Sequence, residues 1–220
     1  MSIIKKHDFV EIEYTGIIKE DNKVFDTTEE KVAKENEIYD KNADYSPIII
    51  CIGENNILRG IEDEIIGKES GKEYKFELSA NNAFGKKDAR LIQLIPINKF
   101  QQQNIQPIPG LQLNIDGIFG VVKTVSGGRC LVDFNHPLAG KDLVYSVKIN
   151  RIVEDVKEKF RSLLNSCLNI KAAEIEIKDE GVSVSLKNKK SSIPNQALEE
   201  FKENAGRIIP SIKKIEFAVS

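Results

Sequence analysis

Several residue types are scarce in this sequence, which has no tryptophan, one methionine and an aromatic share of 7%. Its three cysteines, Cys51, Cys130 and Cys167, lie far apart and form no Cys-x-x-Cys pair, which excludes zinc and dithiol redox motifs of that spacing. We expect them to be buried thiols in a reducing compartment. The two histidines, His7 and His136, lie in unrelated segments, so we expect no metal site.

An excess of one charge and a long hydrophobic run are also missing. The 32 basic side chains nearly balance the 34 acidic ones, and the net charge of −2 lacks the basic surplus that nucleic-acid binding needs. No segment approaches the ~18 uninterrupted apolar residues of a membrane span. The first residues meet Lys5, Lys6 and Asp8, which leaves no apolar stretch long enough for a signal peptide. We therefore expect a soluble, cytoplasmic protein that binds neither nucleic acid nor membranes.

The common motifs of cofactor and nucleophile chemistry are absent as well. The sequence contains no Gly-x-Gly-x-x-Gly turn, no Gly-rich loop ending in Lys-Ser/Thr and no Gly-x-Ser-x-Gly elbow. We expect no cofactor. An enzyme with this sequence would have to rely on the shape and burial of its site rather than on proton transfer.

At 220 residues the chain exceeds the usual size of one domain, so we expect two or three packed units. Ile57, Ile61 and Ile65 recur at helical spacing and predict one short helix that ends at Gly67. Residues 99–110 contain adjacent glutamines and two prolines, which predict a mobile polar loop. Alternating or continuous apolar residues predict strands at 9–14, 24–25, 48–52, 72–78, 91–97, 111–115, 118–125, 130–134 and 143–152.

The last segment has a different pattern. Residues 156–168 and the segment after Pro194 predict amphipathic helices, and residues around Asp179 predict a hairpin. Residues 215–219 alternate as a final strand. The order α–β–β–α–β would place both helices on one face of a three-stranded sheet, and we expect this segment to be a separate unit.

The sequence contains five ordered motifs: Tyr14-Thr15-Gly16, Phe25-Asp26-Thr27-Thr28, the run from Gly53 to Glu62, Ala83-Phe84-Gly85 and Leu143-Val144-Tyr145-Ser146-Val147. Over about residues 5–152 they resemble the motifs of one known family, the macrolide-binding (FKBP) prolyl isomerases. A β-like block after the fourth motif, followed by residues 135–141, is similar to the insertion found in the SlyD-like, long archaeal branch of that family.

The resemblance implies an α+β fold in three parts. The first is an FKBP-like antiparallel sheet wrapped on a short helix, formed by residues 1–87 and 135–154. The second is a small β-rich domain, residues 88–134, which is inserted in the first and acts as a chaperone domain in the branch. The third is a C-terminal αββαβ domain, residues 155–220, of the kind that long archaeal members often carry.

The resemblance also implies a prolyl pocket. The Leu58 N–H would donate to a substrate carbonyl, and Asp26 would accept a hydrogen bond from the Tyr14 hydroxyl. Ile61 stands where better-known members have tryptophan, and Phe84 stands where they have tyrosine. The implied catalytic residues are Tyr14, Phe25, Asp26, Ile57, Leu58, Ile61, Phe84 and Tyr145, with Ile48 and Ile50 lining or supporting the substrate site.

The residues alone leave alternatives open for both groups of apolar side chains. The aromatic residues at alternating strand positions would also suit a plain β-sheet core. In the inserted block, an exposed apolar groove for unfolded polypeptide and a small core of the block itself are both consistent with the pattern. The residues of the block that we assign to substrate binding are Ile95, Phe100, Ile105, Ile108 and Leu111.

Two functional hypotheses follow. The first is a peptidyl-prolyl cis-trans isomerase that assists folding, binding prolyl peptides at the pocket and unfolded or partly folded polypeptides at the insert. The second is a holdase chaperone, a polypeptide-binding module whose pocket is vestigial. For residues 155–220 we expect homodimerisation, with client binding as the second interpretation.

Overall fold

The structure, a computed structural model, describes residues 2–115, 117–186 and 193–219. These residues form twelve strands and five α-helices, so the fold is mixed α+β, as the sequence predicts. The strands are β1 (Phe9–Ile18), β2 (Val24–Thr27), β3 (Ile48–Cys51), β4 (Lys72–Leu78), β5 (Ile92–Pro96), β6 (Gln112–Ile115), β7 (Ile118–Ser126), β8 (Arg129–Asp133), β9 (Leu143–Val153), β10 (Glu174–Lys178), β11 (Gly181–Leu186) and β12 (Lys214–Val219). The helices are α1 (Glu30–Glu35), α2 (Arg59–Ile65), α3 (Ile97–Gln101), α4 (Val156–Leu168) and α5 (Asn195–Ile208).

The described residues group into two units. The first unit comprises residues 2–18, 22–77, 144–186 and 193–219, and the second comprises residues 19–21, 78–115 and 117–143. The three-part division with the boundaries given above stays a prediction. No helix in the described ranges is long and apolar enough to cross a membrane.

A five-stranded sheet forms the centre of the first unit. Its strand order is β2–β1–β9–β4, and β3 also pairs with β1. Strand β1 follows the alternation seen in the sequence, because Val10 and Ile12 are buried while Glu11 and Glu13 are only half-buried and form ion pairs. Both β2 and β3 run antiparallel to β1, which places Asp26 opposite Gly16.

The C-terminal elements of the first unit occur in the predicted order α–β–β–α–β. Strands β10 and β11 are antiparallel, and β12 is parallel to β11. Both helices pack on the same sheet face, because the buried residues Phe160 on α4 and Phe201 on α5 belong to one cluster with Val184 of β11. The Asp155 side chain caps α4 by accepting the Glu158 N–H at 2.8 Å.

This C-terminal core continues into the five-stranded sheet. Phe9 of β1, Cys51 of β3 and Val153 of β9 are buried in the same cluster as the side chains of α4 and α5. The C-terminal segment, which we expect to be a separate unit, therefore shares one continuous core with the five-stranded sheet. Burial, together with nearby Glu54 and Glu62, raises the pKa of the Cys51 thiol to about 12, which keeps it protonated and unreactive.

The second unit contains a four-stranded antiparallel sheet with the order β5–β8–β7–β6. The prediction of a loop beginning at Lys99 is wrong for its first residues, because α3 covers Ile97–Gln101. Phe100 on this helix is 3% exposed and packs with Val122 and Val132 in the core of the unit. Burial of one aromatic side chain thus overrides a polar, proline-containing sequence.

Asp133 at the end of β8 is a buried carboxylate of the second unit. Burial alone would raise its pKa, but hydrogen bonds from Asn135 and Lys87 outweigh that effect and lower the pKa to about 2. The Asn135 side chain also accepts the Asp88 N–H at 2.8 Å. This network joins the residues before β5 to the residues after β8.

Candidate active site

Tyr14 on β1 is anchored through its backbone by the two threonines of the second motif. The Tyr14 N–H donates to Thr28 Oγ1 at 2.9 Å. The hydroxyls of Thr27 and Thr28 in turn donate to the Tyr14 carbonyl oxygen at 3.2 and 3.3 Å, and both threonines are buried. The last residue of β2 and the residue after it therefore fix the position from which the Tyr14 ring projects.

The hydrogen bond that the resemblance implies between Tyr14 and Asp26 is present. The Tyr14 hydroxyl donates to Asp26 Oδ2 at 2.8 Å. Burial, and then the charge of Asp26, raise the pKa of the Tyr14 hydroxyl above its usual range, so it remains a donor at neutral pH. Asp26 itself is exposed, so one end of the pair is available to a ligand.

Two aromatic rings pack against Gly16 of β1, and the Tyr14 ring lies next to one of them. The Tyr145 ring is buried, lies 5.8 Å edge-on from Phe25 and lies 5.9 Å from Tyr14 at a tilt of 52°. A β-carbon on Gly16 would lie 2.7 Å from Phe25 Cζ and 3.0 Å from Tyr145 Cε1. Only glycine fits there, and although Gly16 lies within a quoted motif, sequence reasoning assigned it no role.

Leu58 lies at the N-cap position of α2. Its carbonyl accepts the N–H groups of Ile61 and Glu62 at 2.8 and 3.2 Å. Among the described residues, none accepts a hydrogen bond from the Leu58 N–H. The backbone donor that the resemblance assigns to substrate is therefore free of a described protein partner.

Helix α2 is shorter than the sequence predicts and leaves Ile57 in the preceding loop. Glu62 is 2% exposed, and its carboxylate accepts the N–H groups of that loop at 2.8 to 3.4 Å. Ile61 is buried on the same helix, whereas Ile57 and Leu58 are half-buried. The donors to Glu62 are Gly53, Asn55, Asn56 and Ile57.

Ile48 and Ile50 lie on β3 opposite Ile12 and Val10 of β1. Ile50 is almost fully buried, whereas Ile48 is half-buried. The burial of Ile50 suits support of the sheet more than direct contact with a ligand. Their roles in the substrate site stay predictions.

Phe84 belongs to the second unit. Its ring stacks on His136, with centroids 4.3 Å apart and planes 4° apart. His136 Nδ1 also accepts the Leu138 N–H at 3.2 Å, so this histidine forms part of a turn. The assignment of Phe84 to the prolyl pocket stays a prediction.

The second unit also carries a groove with a volume of about 550 Å³. Ile95, Phe100 and Ile105, three of the residues predicted to bind substrate, line it. Leu94 and Ile118 line it too and are 60% and 58% exposed, and sequence reasoning missed both. Their exposure in the structure identifies them as candidate binding residues, because a contiguous patch of exposed apolar side chains often marks an interaction site.

The other two predicted residues of the insert lie outside the lining of this groove. Ile108 is exposed, and Leu111 packs against the core of the second unit. The insert has features of both interpretations, because one set of its apolar side chains forms a small core and another set remains exposed. The substrate-binding assignments of all five residues stay predictions.

The arrangement in the first unit offers aromatic surface, one exposed carboxylate and one backbone donor. In the described part of the chain, no group of three or more His, Cys, Asp or Glu side chains is placed to hold a metal ion. Aromatic walls and a fixed backbone donor suit a reaction that needs a shaped, apolar environment for a carbonyl compound.

Comparison with known proteins finds relatives of one enzyme type. The chain is 36% identical over 152 residues to the "Short-type peptidyl-prolyl cis-trans isomerase" of Methanocaldococcus jannaschii, which covers 69% of this chain and 96% of that protein. It is 32% identical over 115 residues to the "Probable FKBP-type 16 kDa peptidyl-prolyl cis-trans isomerase" of Pseudomonas fluorescens, covering 50% of this chain and 75% of that protein.

Two further similarities concern the inserted block and its branch. Residues 93–138 match the family described as "FKBP26, IF domain". The chain is also 28% identical over 116 residues to the "FKBP-type peptidyl-prolyl cis-trans isomerase SlyD" of Vibrio cholerae, covering 51% of this chain and 57% of that protein.

Proposed function

The chain belongs to the FKBP-type peptidyl-prolyl cis-trans isomerases, and from this premise we propose that it rotates prolyl peptide bonds in the first unit and holds unfolded polypeptide on the second. The enzyme class predicted from the sequence is confirmed by the named relatives. The further proposal is the long, SlyD-like architecture, in which the insert is a chaperone domain. The observation that carries the catalytic part is the Tyr14–Asp26 pair beside the rings of Phe25 and Tyr145.

The physical basis of the reaction is the loss of amide resonance. A planar prolyl bond rotates over a barrier of ~18–20 kcal/mol and isomerises without a catalyst in ~10–100 s. The twisted transition state has lost resonance and carbonyl polarity, so an apolar pocket stabilises it more than it stabilises the planar ground state. A ten-thousandfold acceleration needs only ~5.4 kcal/mol of this difference, and no nucleophile is required.

Leu58 and Asp26 have different roles in this proposal. The Leu58 N–H, which has no described protein partner, donates to a substrate carbonyl oxygen and so fixes the register of the peptide. The Tyr14 hydroxyl holds the Asp26 carboxylate at the edge of the pocket, where it faces the carbonyl of the rotating bond. Isomerisation of a short prolyl peptide by Asp26→Ala tests the direct role, because full activity with an intact fold would leave Asp26 only a structural role.

The second unit adds capture of the client. Leu94 and Ile118 present apolar surface at the groove, which suits an extended, apolar polypeptide segment. A client held there would have a raised effective concentration at the isomerase pocket of the same chain. Prolyl bonds in a refolding protein would then turn over faster than those in a short peptide that cannot reach the groove.

Full-length variants separate capture from catalysis. We expect Leu94→Ser with Ile118→Ser to leave short-peptide isomerisation unchanged and to slow proline-limited refolding of a protein client about tenfold or more. The matched control is Ile3→Ser, because Ile3 is an exposed isoleucine of the first unit with the same 58% exposure as Ile118. Unchanged client refolding in the double variant would refute capture at this groove.

A holdase without catalysis is the second candidate, and the exposed apolar side chains of the second unit favour it independently of the pocket. The two functions differ on a client that lacks proline. Both predict suppression of its aggregation, but only the isomerase predicts turnover of a prolyl peptide. Absence of turnover by the intact chain, with aggregation still suppressed, would leave the holdase.

We also propose that residues 155–220 mediate a homodimer in a cytoplasmic protein. Within the described residues, β10 and β12 are the edges of their sheet, and its face away from α4 and α5 carries mainly charged and hydroxyl side chains. The cysteines are unpaired, which favours a reducing compartment. Sedimentation that shows a monomer at high concentration would contradict the dimer, and secretion of the native protein would contradict the compartment.

A further inference from the structure

The loop of residues 53–58, which we call the pocket loop, is fixed from its inner side by helix α2. Four of its N–H groups donate to the buried Glu62 carboxylate, as described above. The Asn56 side chain adds a further link, because its Oδ1 accepts the Cys51 N–H of β3 at 2.8 Å. The pocket loop ends at Leu58, whose N–H is the proposed donor to substrate.

The outer side of the pocket loop is held by the C-terminal helix α5. Both oxygens of Glu54 accept hydrogen bonds from the Arg207 guanidinium, with Nη1 lying 2.9 Å from Oε1. The Glu54 side chain is only 12% exposed, and His7 Nδ1 lies 3.5 Å from the same Oε1. The Arg207 guanidinium also donates to Asn204 Oδ1 on its own helix. This bond orients the two-pronged contact, or fork, that the guanidinium makes with both Glu54 oxygens.

We propose that Arg207 is a positioning residue for the isomerase site, which it serves by holding Glu54 and therefore the pocket loop in the geometry that aims the Leu58 N–H at substrate. The inference rests on the proposed role of Leu58. It gives the C-terminal helix a part in catalysis, although Arg207 itself touches no reacting atom.

The packing around this contact makes the coupling direct. Cys51, which precedes the pocket loop by two residues, is buried in the same core as Ile208, the residue next to Arg207. The helix that carries Arg207 and the strand that leads into the pocket loop thus share one set of apolar contacts. A planar guanidinium is suited to this position, because it binds both carboxylate oxygens at once.

The test compares three full-length variants of the same helix, Arg207→Ala, Arg207→Lys and the control Lys202→Ala. Arg207→Ala removes the contact with the pocket loop, whereas Lys202→Ala removes an ion pair of α5 with Glu199 on the same helix, where the atoms lie 2.7 Å apart. The measurements are kcat and KM for a short prolyl peptide, and amide hydrogen exchange of residues 53–58.

For Arg207→Ala we expect KM to rise about fivefold, equivalent to ~1 kcal/mol, with kcat changed little, since a displaced donor weakens substrate binding. Exchange across the pocket loop should become faster. Arg207→Lys keeps the charge but loses the fork, so its KM should lie between those of the wild type and Arg207→Ala. Lys202→Ala should match the wild type in both measurements.

An unchanged KM in Arg207→Ala would overturn the inference, whether or not loop exchange becomes faster. An equal rise of KM in Lys202→Ala would also overturn it, because the effect would then belong to the helix rather than to the contact. Failure of the proposed function is distinct, since it would appear as no turnover by the wild-type chain. If the wild-type chain has no turnover, faster amide exchange of residues 53–58 in Arg207→Ala would show that Arg207 has a purely structural role.

Discussion

Gly16→Ala is the substitution whose effect follows most directly from the geometry of the site. The new β-carbon would lie 2.7 Å from Phe25 Cζ and 3.0 Å from Tyr145 Cε1, whereas ordinary contact begins at 3.4 Å. The Phe25 ring therefore has to retreat by about 0.7 Å, the difference between 3.4 and 2.7 Å. Because the buried Tyr145 ring packs edge-on against Phe25, movement of the Phe25 ring disturbs this contact.

Two effects set the size of the expected changes: overpacking lowers the free energy of unfolding, and displaced pocket walls lower the activity. Forcing one carbon into a filled site costs about 1–3 kcal/mol of unfolding free energy. A displacement that approaches 1 Å at the walls of a catalytic pocket lowers activity by up to about a hundredfold. We expect kcat/KM for a short prolyl peptide to fall about 10- to 100-fold, with the unfolding free energy lower by about 2 kcal/mol.

Two alanine substitutions serve as controls. A β-carbon on Gly120 would lie 2.6 Å from Phe134 Cδ1, so Gly120→Ala should destabilise the second unit to a similar degree without changing peptide turnover. Gly206→Ala on α5 meets nothing closer than 3.8 Å and should leave both quantities near wild type or raise stability slightly. Wild-type turnover and stability in Gly16→Ala would refute the packing argument for the Phe25 and Tyr145 rings.

Three further predictions concern single side chains. Tyr14→Phe removes the hydroxyl that holds Asp26 and should lower kcat/KM about 3- to 10-fold with little loss of stability. The control Tyr74→Phe on β4 should leave kcat/KM unchanged. Equal activity of the two variants would contradict the role of Tyr14 in holding Asp26. The pKa of Asp133 is lowered to about 2, so its stabilisation is present above pH 4 and lost as the pH falls towards 2. Asp133→Asn should therefore cost about 2 kcal/mol in denaturant unfolding at pH 7, and an equal cost at pH 2 would contradict this. Cys167 is exposed, so the expectation that all three cysteines are buried is wrong for this residue. Cys167 should react with a thiol reagent in the native state faster than the two buried cysteines, and equal rates would contradict the packing around them.

The sequence predicts the strands of the first unit well because their side chains alternate or run continuously apolar. Strand β1 alternates, and β3 is continuous because Ile50 is buried in the sheet while Cys51 packs into the C-terminal core. Helix α3 was missed, since nothing in its local pattern shows that Phe100 would reach a core built from β7 and β8. Tertiary burial decides such short helices.

The candidate site also contains contacts that the sequence predicts and contacts that it does not. Tyr14 and Asp26 are 12 positions apart within one hairpin, and both lie in motifs that the family resemblance identifies. Arg207 and Glu54 are 153 positions apart, and no periodicity links them. Gly16 lies inside a recognisable motif, but its close contact with two rings exists only once β2 and β9 are in place beside β1.

The most direct test of the central claim is NMR exchange spectroscopy of a short peptide with one prolyl bond, with the intact chain present in catalytic amounts. We expect cis–trans exchange far faster than the uncatalysed ~10–100 s, and we expect Gly16→Ala to remove most of the acceleration. An exchange rate equal to that of the peptide alone would contradict the assignment of this pocket as an isomerase site.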